Sequence, residues 1–396
     1  MEVNHNYHLT YCSNIHPGEK WAEVFKALRV NLPAIRHALN PGSSMGIGLR
    51  LSNEAALELT DNEMTAFMEW MGEEGFYVFT MNGFPYGGFH DTVVKDKVYS
   101  PDWTTPERLT YTLRLFDILN VLLPEGLDGG ISTSPVSYKP WFQSDAQRDQ
   151  ALEKGAQQMA LVAQHLYQLK VKTGKSMHLD IEPEPDCLIE NTAEVVDFFN
   201  RWMLPIGISL FKENGLSAAE AEEAVRTHIQ LCYDICHFAV AFEKPAQVIE
   251  TMEKEGIRIG KVQVSAALGA TFSGNGAEII KTFSAFDEKT YLHQVKALNE
   301  TGEMTAYPDL KEGIEAYKGN VKEWRTHFHV PIFLEEYGLL KSTQQDIIEV
   351  AEILKKKKMT NHLEVETYTW GVLPKDMQVD IQTSIIRELE WFKSRL

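Results

Sequence analysis

The chain has 396 residues, of which 44% are hydrophobic, and it carries a formal net charge of −18 at pH 7. This length allows one large α/β domain or two domains of ordinary size, each with a substantial core. The excess of Asp and Glu over Lys and Arg disfavours binding to the phosphate backbone of nucleic acids, which depends on clustered basic side chains.

No apolar stretch of the sequence approaches the length that a membrane span requires. The first residues, Met-Glu-Val-Asn-His, lack the positive charge and the apolar core of a secretory signal peptide. We therefore expect a cytoplasmic protein, with no nucleic acid and no membrane span involved.

Strand-like and helix-like patterns alternate through the first part of the chain. Strands are predicted at residues 7–14, 46–51, 76–82 and 130–134, and helices at about 21–39, 60–75 and 106–123. Thr60 and Glu63 have the spacing of a capping box, which marks the start of the second of these helices. The loop after the third strand, residues 83–90, is rich in glycine and aromatic residues.

The same alternation continues through the second part. A long amphipathic helix is predicted at about 145–172, and strands are predicted at 177–182, 229–234, 261–265 and 363–370. A helix at 342–358 precedes the last strand, and another follows it. Residues 266–341 are irregular and contain a predicted hairpin that pairs 291–297 with 303–307. We expect an insertion here, on the face that carries the active site, although it could also hold a barrel strand of its own.

Eight strand–helix units in series, with no linker of disordered composition, predict a single (β/α)₈ TIM barrel over residues 1–396. The insertion at 266–341 then follows strand seven. A doubly wound open sheet is the alternative, but such a sheet seldom needs eight units.

The predicted strands have one polar and one apolar side. Residues i and i+2 share a side, and in a barrel one side is the interior. The side that contains Glu182, Asp234 and Glu366 also contains His8, Thr10, Cys12, Asn14, Arg50, Thr80, Asn82, His178, Asp180, Cys232, Lys261, Gln263, Ser265 and Glu364. Burying so many polar groups is costly unless they pair or bind an ion. Lys261 could pair with Asp180 and Glu364 at the bottom, while a metal ion at the top would account for the other carboxylates.

Asp234 and His237 lie three residues apart where the sixth strand ends. Carboxylate and imidazole groups brought together from successive strand ends are the donors that a divalent ion needs. The alternative is purely structural, because Asp234 could cap the next helix and His237 could pack against it. The spacing alone does not separate these two interpretations.

Three motifs resemble those of a known superfamily. Leu231-Cys-Tyr-Asp-Ile-Cys-His237 is similar to the sixth strand of the xylose-isomerase-like barrels, a group that includes sugar isomerases, epimerases and the endonuclease IV type of AP endonuclease. His178-Leu-Asp-Ile-Glu-Pro-Glu184 resembles the fifth strand of this group, and Glu366 matches the glutamate of its last strand.

This resemblance implies a metal site with Glu182, Asp234 and Glu366 as carboxylate ligands. His237 would ligate the metal or hold a substrate hydroxyl. The cofactor expected from these donors is one divalent ion, with Zn²⁺ or Mn²⁺ favoured. Gln263 stands where the superfamily usually has a histidine, and the extra histidines of the endonuclease branch are missing. A mononuclear site is therefore expected rather than three-metal phosphodiester chemistry.

Nearly the whole chain also resembles the EboE family of metabolite-traffic proteins, which belong to this superfamily and are encoded in Ebo gene clusters. Residues 8–19, 79–90, 131–135, 327–331 and 364–370 carry this resemblance. It implies a cytoplasmic barrel that acts with other proteins of the gene cluster on a small, sugar-like or isoprenoid-derived metabolite. No reaction follows from it.

The chemistry expected at such a site is that of an isomerase or epimerase, with Glu182 or Glu366 as the catalytic group that moves the proton. A non-catalytic metabolite-binding or carrier component is the alternative, and a phosphodiesterase of the AP endonuclease type is disfavoured by the acidic charge. The residues expected to contact substrate are Asn82, His90, Gln263, His329 and His16.

Two other groups could complete the site. Phe84, Tyr86 and Phe89 could stack on an apolar or ring-bearing ligand, or could simply cover the mouth of the barrel. His327 and His329 lie two apart on a segment of the insertion, and we expect one of them, with His329 favoured, to bind the metal or the substrate. The alternative is that both pack between the insertion and the barrel rim.

Overall fold

Short apolar and β-branched runs form the strands, and longer amphipathic runs form the helices. The structure is a computed structural model of the chain that describes residues 1–88, 94–375 and 378–396. The strands are β1 (Glu2–Val3), β2 (Tyr7–Tyr11), β3 (Met45–Arg50), β4 (Phe76–Asn82), β5 (Gly129–Thr133), β6 (Met177–Ile181), β7 (Ile229–Asp234), β8 (Ile259–Val264), β9 (Leu268–Thr271), β10 (Val295–Leu298), β11 (Met304–Tyr307), β12 (Glu323–Thr326), β13 (Glu336–Tyr337), β14 (Leu340–Ser342) and β15 (His362–Val365).

The helices cover the outside of the strands. They are α1 (Trp21–Leu39), α2 (Asn53–Glu58), α3 (Asp61–Glu74), α4 (Pro106–Leu122), α5 (Asp145–Thr173), α6 (Thr192–Asp197), α7 (Leu204–Glu213), α8 (Ala218–His228), α9 (Ile235–Val240), α10 (Pro245–Lys254), α11 (Gly276–Phe283), α12 (Leu310–Ala316), α13 (Gln344–Lys356) and α14 (Ile381–Lys393). Within the described ranges, no helix is long and apolar enough to cross a membrane.

Eight parallel strands form a barrel in the order β2-β15-β8-β7-β6-β5-β4-β3, and β1 adds to β2 in the antiparallel sense. A parallel bridge between Cys12 and Gly48 joins the two ends of this order. Beside it, the Thr10 hydroxyl donates to the Gly46 carbonyl at 2.8 Å. The predicted (β/α)₈ barrel is confirmed, and the open doubly wound sheet is wrong.

The last barrel strand is shorter than predicted. It ends at Val365, and a 3₁₀ helix covers residues Tyr368–Val372. The Glu366 N–H still donates to the Val264 carbonyl at 3.2 Å, but the Thr367 hydroxyl already donates to the Glu388 carboxylate at 2.7 Å. The chain therefore leaves the sheet at Glu366 and places that carboxyl group at the barrel mouth.

The chain between β8 and α13 builds a second sheet of six antiparallel strands, in the order β11-β10-β12-β9-β14-β13. The β10–β11 hairpin lies where the sequence predicts one, and the sheet extends one residue past the predicted insertion, to Ser342. The Val330 N–H donates to the Ala266 carbonyl at 3.0 Å. This bond ties the segment after β12 to the exit of β8, at the carboxyl ends of the barrel strands.

A buried ion pair lies inside the barrel. Lys261 Nζ and Glu364 Oε2 are 2.7 Å apart, and both side chains are fully inaccessible to solvent. Burial alone would lower the pKa of Lys261, but the Glu364 carboxylate raises it above its ordinary value. A Cβ at Gly48 would overlap the Glu364 carboxylate, so glycine at this position leaves room for the charged pair.

A second polar layer lies nearer the amino ends of the strands. His178 Nδ1 and Asp180 Oδ1 are 2.7 Å apart, and the Asp128 carboxylate lies 3.6 Å from His362 and 3.7 Å from His178. Burial opposes protonation of His178, but Asp180 and Asp128 raise its pKa to about 9. These pairings satisfy part of the polar interior without any ligand, but they differ from the expected set: Lys261 pairs with Glu364, whereas Asp180 pairs with His178.

His228, just before β7, provides a test of how burial affects stability. Its Nδ1 donates to the Met177 carbonyl at 2.7 Å, and burial lowers its pKa to about 4. Between pH 6.5 and 4 the unfolded chain then binds more protons at this site than the folded chain, so folded-state stability falls as the pH falls. His228→Gln should reduce this acid-side loss by up to about 3 kcal/mol, as measured by urea unfolding at a series of pH values. If the free energy of unfolding of His228→Gln falls with pH as steeply as that of the wild type, the lowered pKa of His228 does not account for the loss.

Candidate functional site

A cavity opens at the carboxyl ends of the barrel strands. Polar side chains that follow β2, β4, β6, β7 and β15 line it, together with residues of the inserted sheet. The polar lining consists of Asn14, Asn82, Lys95, Glu182, Glu184, His237, His327, His329 and Glu366. Because parallel strands all end at the same rim of a barrel, residues far apart in sequence meet here.

Three imidazoles face one another in this cavity. His237 lies in α9, directly after β7, whereas His327 and His329 lie in the segment after β12. Their Nε2 atoms are 3.0 Å apart for His237 and His327, and 3.4 Å apart for His237 and His329. One ligand atom from each of the three residues lies within 4.8 Å of the others.

The other ring nitrogen of each histidine fixes its tautomer. His237 Nδ1 lies 2.8 Å from the Pro183 carbonyl, and His329 Nδ1 lies 2.9 Å from the Glu366 carbonyl. A carbonyl oxygen only accepts hydrogen bonds, so both Nδ1 atoms carry the proton. In a neutral ring, Nε2 is then left with a lone pair.

The same reasoning applies to His327 through one amide. Gln294 Nε2 donates to the Pro185 carbonyl at 3.1 Å, which sets the orientation of the Gln294 amide. Its Oε1 therefore accepts from His327 Nδ1, at 2.8 Å. Three Nε2 lone pairs thus point at one another, and they cannot hydrogen-bond together. A cation placed between the rings would satisfy all three lone pairs at once.

Two carboxylates complete the group. Asp234, Glu182 and His237 each place one ligand atom within 4.8 Å of the others. Asp234 Oδ1 caps α9 by accepting from the His237 N–H at 3.1 Å, and it also accepts from Ser265 at 2.7 Å. Asp234 Oδ2 and Glu182 Oε2 are buried, and each lacks a hydrogen-bond partner among the described residues. Asp234 thus caps a helix with one oxygen and leaves the other for a ligand.

Glu366 is held by amide groups. Asn14 and Asn82 donate to its Oε1 at 2.7 and 3.0 Å, and Gln263 donates to its Oε2 at 3.2 Å. Three donors on one carboxylate fix its position and favour its ionised form.

Burial shifts the pKa values of Glu182, Glu366, His327 and His329 in the direction that favours the neutral form of each side chain. Burial, followed by the Asp234 charge, raises the pKa of Glu366 to about 8. The pKa of Glu182 is also raised, by burial and then by Glu366 and Asp234. Burial lowers the pKa of His329 to about 4 and lowers that of His327 further below its ordinary value. A bound cation would reverse the carboxyl shifts, because it compensates the negative charges.

A chain of hydrogen bonds runs from His327 to Glu184. Gln294 Nε2 donates to the Tyr99 hydroxyl oxygen at 3.2 Å, and that hydroxyl donates to Glu184 Oε1 at 2.8 Å. His327 Nδ1 lies 3.8 Å from Glu184 Oε1. Burial raises the pKa of Glu184 to about 8, although the Tyr99 hydroxyl opposes the shift. This network joins the inserted sheet to the barrel at the cavity.

The rest of the cavity wall is apolar. Its residues come from the loop after β4, from the inserted sheet and from the segment after β15. They are Phe84, Pro85, Val94, Val98, Tyr99, Tyr291, Leu292 and Tyr368. They belong to two adjoining clusters, which share Val98. The site therefore has a polar floor and an apolar wall.

Neither a protein-family model nor a curated protein matches the sequence. Solved structures do resemble the chain. A xylose isomerase-like TIM barrel protein from Mycobacterium smegmatis, in complex with magnesium, has a TM-score of 0.52 and 11% identity, over 100% of this chain and 98% of its own. A D-tagatose 3-epimerase-like protein has a TM-score of 0.50 and 11% identity, over 98% of this chain and 96% of its own. The fold is that of the xylose-isomerase-like TIM barrels.

The structure of this TIM barrel brings most of the predicted site residues together. Glu182, Asp234, His237, Glu366, Asn82 and His329 all meet at or directly beside the cavity. Their roles in metal binding and catalysis stay predictions. Both His327 and His329 reach the site, rather than one of them.

Other predicted contacts fall elsewhere. The His16 ring pairs with the Tyr11 hydroxyl at 2.8 Å. Gln263 is fully buried beneath Glu366, and its amide N–H₂ donates to that carboxylate. Neither residue lines the cavity. Tyr86 packs on Tyr111 at 5.0 Å between ring centroids, and only Phe84 of the aromatic loop lines the cavity. His90 and Phe89 lie outside the described residues.

Sequence reasoning missed Glu184, Tyr99 and Gln294 as parts of the site. Glu184 could have been found, because it is two residues beyond Glu182 and so continues the alternation of that strand. Tyr99 and Gln294 carry no local signal. Both lie in irregular connections of the chain, and only the tertiary fold places them at the site.

Proposed function

We propose that the chain is a metal-dependent isomerase or epimerase that acts on a small hydroxy-carbonyl metabolite, sugar-like or isoprenoid-derived. One observation carries the proposal. Three imidazoles, each with its Nδ1 proton committed to an oxygen, direct their Nε2 lone pairs at one another. Beside them lie two carboxylate oxygens that have no hydrogen-bond partner among the described residues.

The residues present fit a divalent cation. Asp234, His237, Glu182 and Glu366 would hold it, as the superfamily resemblance implies, with His327 or His329 in place of the histidine missing at Gln263. Mixed imidazole and carboxylate donors suit Zn²⁺ or Mn²⁺ better than Ca²⁺. When bound, the ion would polarise a substrate carbonyl and stabilise negative charge on its oxygen.

The side chains of the protein would move the proton. Glu182 Oε2 has no donor among the described residues and lies in the cavity, so it can accept a hydrogen from the carbon beside a carbonyl. Glu366 is fixed by three amide donors, which suits it better to hold a ligand or to return the proton on the opposite side. The histidines, fixed in one tautomer, orient the reacting group.

The resemblance to EboE proteins supports a place in a metabolite-traffic pathway, with partner proteins from the same gene cluster. A non-catalytic carrier of the metabolite is the second candidate, since the apolar wall suits binding as well as turnover. Phosphodiester hydrolysis gains no support, because the one described lysine that lines the cavity, Lys95, is already paired with Asp309.

Two measurements test the proposal. Elemental analysis of protein purified without chelator should find about one divalent ion per chain. NMR in D₂O should then show exchange of the hydrogen next to the carbonyl in a hydroxy-ketone such as D-fructose, dihydroxyacetone or 2-hydroxyacetophenone. No metal uptake would contradict the metal site. Metal and ligand binding without exchange, for every compound tried, would favour the carrier.

His329→Ala should lower the affinity for Zn²⁺ by about 10–100-fold, because the ring supplies a lone pair that its bond to Glu366 orients. The affinity is measured by competition with a chelator of known strength. His228→Gln, another buried histidine remote from the cavity, is the matched control and should leave the affinity unchanged. If His329→Ala lowers stability but not Zn²⁺ affinity, then His329 only packs the insertion on the barrel rim.

A further inference from the structure

We infer that the substrate carries no phosphate or carboxylate and has an apolar or aromatic body attached to its hydroxy-carbonyl group. The inference rests on the proposed function of this cavity and adds the class of substrate. The distribution of charge and of apolar surface around the cavity carries it.

The described residues of the cavity include no lysine or arginine that is free of an anionic partner. Of the described residues that line it, only Lys95 is a lysine or arginine, against three glutamates. Lys95 Nζ donates to the Asp309 carboxylate at 2.5 Å and to the Tyr291 carbonyl at 2.6 Å. The stretches outside the described residues, 89–93 and 376–377, contain neither Lys nor Arg.

An anionic substituent would therefore be unpaired. Recognition of phosphate uses Arg, Lys or a helix N-terminus that is free to donate. Here the charge of Lys95 is already compensated by Asp309, and Glu184 and Glu366 would repel a second anion. A phosphate group held against the apolar wall, away from the metal ligands, would lose its hydration and gain no ion pair with a described lysine or arginine side chain.

The apolar wall needs a matching surface. Leu292, Val98 and Phe84 adjoin each other on one side, and Val94 packs with Tyr291 and Tyr368 on the other. An unsubstituted polyol would leave these side chains facing hydroxyl groups. A ring or an alkyl body would bury them, and burying apolar surface is favourable in proportion to its area.

Three hydroxy-ketones that differ in one property each test this inference on the protein loaded with Zn²⁺. They are dihydroxyacetone, dihydroxyacetone phosphate and 2-hydroxyacetophenone. Isothermal titration calorimetry should give the phenyl compound an affinity about 10- to 100-fold higher than dihydroxyacetone. The phosphate should bind most weakly. Tightest binding of the phosphate, or of dihydroxyacetone, would overturn the inference.

Variants of the cavity wall test whether the apolar side chains and the missing cation cause this order of affinities. Leu292→Ala should weaken 2-hydroxyacetophenone by several-fold and leave dihydroxyacetone unchanged; equal weakening of both would argue against the apolar wall. Val98→Lys adds a cation to the partly exposed wall and should improve binding of the phosphate by about 10-fold. Val171→Lys, the same change on the exposed surface of α5, should have no effect. If Val98→Lys and Val171→Lys act alike, a missing cation is not what excludes phosphate.

The binding ranking separates this inference from the proposed function. Preference for the phenyl compound without any hydrogen exchange would refute the isomerase and keep the substrate class. Exchange that is fastest with dihydroxyacetone phosphate would keep the isomerase and refute the class.

Discussion

Replacing Glu182 by Gln is expected to lower the rate of hydrogen exchange by about 10²–10⁴-fold at saturating metal. Glutamine has nearly the same shape but cannot accept the proton. Glu182 Oε2 is the oxygen that lacks a hydrogen-bond partner among the described residues, and it faces the cavity. The rate is followed by NMR in D₂O with 2-hydroxyacetophenone, while the metal content of the same sample is determined by elemental analysis.

Glu153→Gln is the matched control, because Glu153 lies on the exposed side of α5. It should exchange the substrate hydrogen at the wild-type rate. A Glu182→Gln protein that retains its metal and loses less than about three-fold in rate would show that another group moves the proton. Glu366 would then be the next candidate.

Replacing Lys261 by Met is expected to destabilise the folded chain by about 3–5 kcal/mol. Lys261 is the only charge partner that Glu364 has among the described residues, in a pair that solvent does not reach. The change therefore leaves a carboxylate buried without compensation. The loss appears as a lower midpoint of urea unfolding. Adding Glu364→Gln to the same protein should restore much of the stability, because the uncompensated charge is then gone.

An exposed ion pair provides the comparison. Lys357 pairs with Glu253 at the surface, where both side chains are about half exposed. Lys357→Met should therefore cost less than about 1 kcal/mol. If Lys261→Met lowers the free energy of unfolding no more than Lys357→Met does, then Glu364 does not need the charge of Lys261. Water must then reach the barrel interior more than the structure indicates.

The fold could be predicted from the sequence because strand patterns are local. Alternation of apolar and polar residues marks β6, β7 and β8, and the side that includes Glu182 and Asp234 is polar in each. Once eight such units close into a barrel, geometry requires that their last residues meet at one rim. Asp234, Glu182 and Glu366 could therefore be placed together without any knowledge of side-chain contacts.

The remainder of the site depends on paths that no local pattern records. The convergence of His327 with His237 follows from the route of the inserted sheet, which returns to the barrel through the Val330–Ala266 bond. The position of Tyr86 was missed for a similar reason, since its packing on Tyr111 is a contact between a loop and a helix. Such contacts are set by packing in three dimensions rather than by spacing along the chain.

The three facing histidines also have a consequence for the chain as a polymer. His237 and His327 are 90 residues apart in sequence, so one ion bound to both would close a loop that contains most of the inserted sheet. A covalent cross-link that closed a loop of this length would reduce the entropy of the unfolded chain by an amount equivalent to about 4–5 kcal/mol. The availability of the metal would then determine how stably the insertion packs on the barrel, in addition to whether the site holds its ion.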